Sequence, residues 1–130
     1  MDNNNFFETK DVTGSFDTKD IEQNKVVSVI GYIPVLFLVP LLGASNSPFA
    51  KFHANQGLIL TLASIVLGIA RSVICTIISF IPFVGGIISG VISVVVSLVI
   101  LALMVLGIVN TSQGKAKELP FIGGLFTIIQ

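Results

Sequence analysis

From Ser72 to Gly114 the chain carries no charged side chain, and the stretch is built almost wholly from Ile, Val, Leu, Gly and Ser. It is longer than the roughly 20 apolar residues with which one helix crosses a hydrocarbon core of about 30 Å. Across the chain 53% of residues are hydrophobic and 11% charged, seven of each sign, where a soluble domain carries about 25% charged residues. This composition excludes a water-soluble globule. It also excludes a disordered tail or a nucleic-acid binder, which need polarity or excess positive charge. The expected partner of these stretches is a lipid bilayer.

The charges mark the ends. Asp2, Glu8, Asp11, Asp17, Asp20 and Glu22 precede the apolar region and Glu118 follows it. Lys10, Lys19 and Lys25 lie at the front, Lys51 in a connector, Arg71 alone in an apolar run, and Lys115 and Lys117 near the end. Residues 1–24 are acidic and apolar only at scattered positions such as Phe6, Phe7 and Phe16, unlike the basic start and short apolar core of a signal peptide. They are expected to be a flexible polar tail ahead of a helical membrane domain, residues 25–130. Asp17 or Thr18 would cap the entering helix, with Asp20 and Glu22 in its first turn.

The domain reads as an all-α membrane protein with about three transmembrane helices, at about 26–42, 57–81 and 87–109. The first segment is only about 26 Å long as a helix and contains Pro34 and Pro40, which remove backbone donors. It is expected to be a Pro-kinked span, with a re-entrant hairpin as the alternative. Gly43 to Gln56 reads as a turn-rich connector in which Ser47-Pro48 interrupts helix, and Phe49, Lys51, Phe52 and His53 rest at the interface. Pro82 closes the second span, so spans two and three form a helical hairpin. Residues 115–130 form a C-terminal interfacial segment, because the apolar run 121–129 is too short to span. With three spans, the lysine bias favours the N-terminus outside and the C-terminus in the cytoplasm; a re-entrant first segment puts both termini in the cytoplasm.

Membrane helices associate through small residues and a few interhelical hydrogen bonds. Gly57, Thr61, Ser64, Gly68, Ser72, Cys75 and Ser79 follow one another along a stripe of the second span. Gly85, Ser89, Ser93 and Ser97 do so on the third, beside the pair Gly86 and Gly90. These faces are expected to meet, within one chain or between copies. Arg71 costs on the order of 3 kcal/mol to insert near the middle of a span. It either attracts an anion, a lipid phosphate or a partner's carboxylate, or bonds to Ser, Thr and backbone carbonyls and snorkels.

Reaction chemistry is not legible. The apolar region has no acid, His53 is the single histidine and Cys75 the single cysteine. No protease constellation, metal cluster, internal disulfide or cofactor motif can be assembled from these residues. Cys75 reads as a small packing residue, since apolar surroundings disfavour its thiolate.

Three runs, IGYIPVLFLVPLL (30–42), SPFAKFHANQGL (47–58) and NTSQGKAKELPFIGGL (110–125), resemble the Tic20-like, or DUF4870, family of small bacterial membrane proteins. The resemblance implies a multi-pass protein of the bacterial cytoplasmic membrane with three helices. Relatives include magnetosome membrane proteins that influence crystal growth and a chloroplast protein-import component. It also implies that Phe52, His53, Asn55 and Gln56 form one family element and Gly114, Lys115, Leu119 and Pro120 another. The three-span reading puts both on one membrane face, where connector and tail would dock, with the Asn55 and Gln56 amides serving exposed helix-end groups. The resulting expectation is a non-enzymatic, cofactor-free membrane scaffold that self-associates or joins a membrane-protein partner. The alternative is an oligomeric channel or carrier for a small anion that uses Arg71.

Overall fold

The computed structural model describes residues 10–129, and in these the fold is helical. The helices are α1 (Thr18–Ile30), α2 (Leu38–Gly43), α3 (Pro48–Ile78) and α4 (Val84–Ser112). A 3-10 turn at Thr13–Ser15 precedes them, and an isolated antiparallel bridge joins Asp11 to Lys117.

Two helices, α3 and α4, are long and apolar enough to cross a membrane. The first apolar segment does not form the kinked span expected of 26–42. Helix α1 ends at Ile30, and the chain reverses through Ile33-Pro34-Val35-Leu36, where the Leu36 N–H donates to the Ile33 carbonyl at 2.9 Å. Pro34 presets the first central position of that turn, and Val35 adopts φ 73° at the second, the left-handed geometry of a type II turn. The Val35 N–H donates to Thr61 Oγ1 at 3.0 Å, which fixes the tip of the reversal to α3. The segment is therefore a helical hairpin laid against the first half of α3.

The start of α3 differs from expectation as well. Ser47-Pro48 initiates helix where it was expected to interrupt it: Ser47 is the N-cap, its hydroxyl accepting the Ala50 N–H at 3.0 Å, and Pro48 takes the first helical position, where its missing N–H costs nothing. The connector shrinks to residues 44–47. Phe49 and His53, expected at the interface, are fully buried. Within the expected tail, residues 18–24 belong to α1, capped by Asp17 through the Lys19 N–H. Residues 10–13 pair with 116–118, the Val12 N–H donating to the Ala116 carbonyl at 2.9 Å and the Glu118 N–H to the Lys10 carbonyl at 3.0 Å. The rest of the tail reading, residues 1–9, lies outside the described residues.

The molecule has two parts. In the head, α1, α2 and the terminal segments wrap the first turns of α3 and the last turns of α4. Tyr32, Leu60, Leu103 and Leu119 form one core, and Ile21, Phe49 and Ala116 a second, where Phe16 packs edge-on against Phe49 and Phe52. Beyond Thr61 and Leu103 the two helices continue as a bare stem exposing Ile65, Val66, Ile69, Val91, Val94 and Leu98 among others. Exposed apolar surface of that extent on paired helices suits lipid contact.

Candidate functional site

The buried polar groups gather in the head, where α3 meets the chain that leaves α4. Helix α4 ends in a Schellman motif: Gly114 at φ +77° donates to the Thr111 carbonyl at 2.9 Å, and the Lys115 N–H to the Asn110 carbonyl at 2.9 Å. This turn aims the Lys115 carbonyl at α3, where His53 Nε2 meets it at 3.0 Å. A carbonyl only accepts, so Nε2 carries the proton and Nδ1 is the acceptor for the Tyr32 hydroxyl at 2.5 Å. Thr111 Oγ1 lies 3.1 Å from the same Nδ1 and donates to the Gly107 carbonyl at 2.7 Å. His53, Tyr32 and Thr111 are each fully buried, so one neutral imidazole ties the α1–α2 hairpin, α3 and the C-terminal segment together.

The next turn of α3 repeats the device with amides. Gln56 Oε1 accepts the Leu119 N–H at 2.9 Å, and its Nε2 donates to the Gly123 carbonyl at 3.0 Å. Asn55 Nδ2 donates to the Phe126 carbonyl at 3.0 Å, and Oδ1 accepts from Ile128 and Ile129 at 2.9 and 3.2 Å. These amides satisfy backbone groups of an irregular segment, whereas helix-end groups were expected to be their partners. A segment with no helix or sheet of its own needs such side chains to satisfy the peptide groups it turns inward. Pro120 is buried within it, just before Phe121 at φ 69°.

At the head's outer edge Asp20 reaches from α1 to the start of α3. Its carboxylate accepts from the Ser47 hydroxyl, from Asn24 Nδ2 at 2.8 Å and from the Phe49 N–H at 3.0 Å. Burial works against the charge, but these three donors outweigh it and hold the carboxyl below its ordinary value. The Thr13 hydroxyl and N–H, with Lys117 and Lys115 nearby, do the same for Asp11.

The remaining sequence candidates divide. Arg71 lies two turns from the far end of α3, where a mid-span position was expected, and its guanidinium donates to Ser93 Oγ at 3.3 Å. One turn on, Cys75 Sγ approaches the Ser89 carbonyl at 3.8 Å. The small-residue stripes meet toward the far end of the stem, where a Cβ on Gly85 would lie 2.4 Å from the Ile78 carbonyl oxygen and 3.3 Å from Ser79 Cα. A Cβ on Gly68, Gly86 or Gly90 would meet no atom within 4 Å, and Ser72 is exposed. Ser64 turns back to the Leu60 carbonyl. Gly57 is a close approach to the α1–α2 hairpin: a Cβ there would lie 2.0 Å from the Gly31 carbonyl oxygen. Gly107, absent from the sequence candidates, sits under the Tyr32 ring, 2.2 Å from where its Cβ would be. Tyr32, Thr111 and Asp20 were also missed as parts of the network. A solitary tyrosine inside an apolar run was the available signal for the first; the others had none.

Among the described residues no group of three or more His, Cys, Asp or Glu side chains could hold a metal ion. Comparison with curated proteins and with solved structures finds no match. Comparison with protein families does: the pattern described as the magnetosome magnetite crystal formation protein family matches residues 24–126. This overturns the resemblance to the Tic20-like family, since the three runs that suggested it, 30–42, 47–58 and 110–125, all lie inside the matched span. The match takes in the end of α1, all of α2, α3 and α4, and most of the docked tail. The chain belongs to the MamF/MmsF family of magnetosome membrane proteins.

Proposed function

We propose that this chain is a non-enzymatic scaffold of the magnetosome membrane that acts in magnetite crystal formation from its head, with the α3–α4 stem as anchor and self-association surface. The supporting observation is that the family pattern spans the clamped head and the stem as one unit. Charge gives the head a side. Six of the seven cations, Lys10, Lys19, Lys25, Lys51, Lys115 and Lys117, belong to it, while the opposite turn, Ser79 to Val84, has none and exposes Phe83. Lysine near span ends favours the cytoplasm, so head and both flanking segments are cytoplasmic. This replaces the three-span topology with its N-terminus outside.

The described carboxylates Asp11, Asp17, Asp20, Glu22 and Glu118 lie on the same head. The face that would meet a mineral enclosed by the membrane carries no charge. On this reading the chain influences the crystal by organising the membrane and other proteins from outside. Two measurements test it. In a Cys75→Ala background, Ser45→Cys should react with a membrane-impermeant thiol reagent from the cytoplasmic side and Ser79→Cys from the other; the reverse pattern overturns the orientation. Removing the chain from its magnetite-forming host should change crystal size or shape, restored by the wild-type chain and not by Gln56→Leu. Unchanged crystals would remove the functional reading.

Arg71 supports a second reading, passage of a small anion, because its half-buried guanidinium enters the seam between the two long helices. Chloride flux through proteoliposomes that falls with Arg71→Leu favours it; flux at the level of protein-free vesicles removes it.

A further inference from the structure

Two cavities open side by side along one wall of α3. The upper, about 270 Å³, is lined by Lys51, Phe52 and Asn55 of α3 and by Thr127 and Ile129 of the C-terminal segment. The lower, about 400 Å³, is lined by Ile59, Ala63 and Val66 of α3 and by Ile122, Leu125 and Phe126 of the same segment. Asn55 and Ile59 are one helical turn apart, and Phe126 and Thr127 are consecutive, so both walls continue from one cavity into the next. The two cavities thus follow one another in a groove between α3 and the C-terminal segment, crossed by the Asn55–Phe126 hydrogen bond, cationic at the head end and wholly apolar below, with no carboxylate in either lining.

We propose that this groove binds one anionic phospholipid of the head-side leaflet, its phosphate at Lys51 and an acyl chain against Ala63 and Val66. Three observations fix the occupant. The groove descends from Lys51 to Leu67, about 24 Å along the helix, close to the roughly 20–22 Å of one leaflet with its headgroups. Its polarity runs in the order of a phospholipid, charge first and hydrocarbon after. Its single charge is positive, which favours a phosphate without a compensating amine. The second wall is held in place by Asn55 and Gln56, so the amides that dock the tail also shape the lipid site.

The test is native mass spectrometry of the full chain in an uncharged detergent, with phosphatidylglycerol or phosphatidylcholine added at equal concentration. One phosphatidylglycerol per chain should survive activation that strips phosphatidylcholine. Lys51→Gln should lower that retention at least fivefold with helix content unchanged. Ala63→Phe, which fills the apolar end from a half-exposed position, should lower it as well, whereas Lys25→Gln, beside Gly114 and outside both linings, should not. Equal retention of the two lipids, or full retention by either groove variant, overturns the proposal. So does a disulfide-linked dimer from Val66→Cys in bilayers, since a second chain would then occupy the groove.

Discussion

Asp20 of α1 and Phe49 of α3 are joined by a hydrogen bond of 3.0 Å from the Phe49 N–H to the carboxylate, which places a negative charge on the positive end of the long helix. With Ser47 it supplies acceptors that the first turn of α3 cannot provide for itself. Asp20→Ala should destabilise the head by about 1–2 kcal/mol, read as a lower Tm in detergent.

The same carboxylate sets an acid limit. Its folded pKa lies below the ordinary value, so its contribution is complete above the unfolded pKa of about 3.9 and fades as pH falls through the lower folded value. Melting curves from pH 6 to pH 3 should show a drop in Tm that is shallower in Asp20→Asn. Parallel curves for the two proteins would refute this.

Gly107 and Gly68 make a paired prediction. Gly107→Ala drives a methyl into the Tyr32 ring and should cost about 1–3 kcal/mol. Gly68→Ala enters open space and should leave the monomer's Tm unchanged or slightly raised, since alanine is the better helix former by about 0.5–1 kcal/mol. A change in oligomer size with Gly68→Leu alone would place that stripe between copies.

Gln56→Leu leaves the Leu119 N–H and the Gly123 carbonyl without their partner. Each unpaired buried group costs about 1–3 kcal/mol, enough to release the segment 119–129 while α3 and α4 persist. Limited proteolysis should then cut after Lys117 at a rate the wild type does not show. Equal cleavage rates would mean that the amide does not hold the tail.

Val35 holds φ 73° with its side chain mostly in the surroundings. A β-branched residue is strained there and glycine is not. Val35→Gly should raise Tm, provided the relief of about 1–2 kcal/mol exceeds glycine's entropic cost of roughly 0.5–1 kcal/mol. A lower Tm would show that the valine's own contacts outweigh the strain.

The stem was legible because length and the absence of charge are enough to specify a spanning helix pair. The break in the first segment was half legible. Pro34 and Pro40 announced a disturbance, but bending or reversal depended on Thr61, 26 residues from Val35, which offers its hydroxyl to the turn. The start of α3 was misjudged because Pro after Ser reads as a stop unless the serine is recognised as a cap. The small-residue stripes leave their members undistinguished for a related reason: Gly57 and Gly68 lie on one stripe, and only the three-dimensional neighbour separates a tight crossing from an empty flank.

The order of synthesis follows from the docking of the tail. The peptide groups that satisfy Asn55 and Gln56 lie 63 to 74 residues downstream of those amides. While the ribosome is still delivering the two hydrophobic helices, these two amides therefore have no partner. The head closes only after both helices have been made, which leaves a stalled or shortened nascent chain with an open, adhesive end.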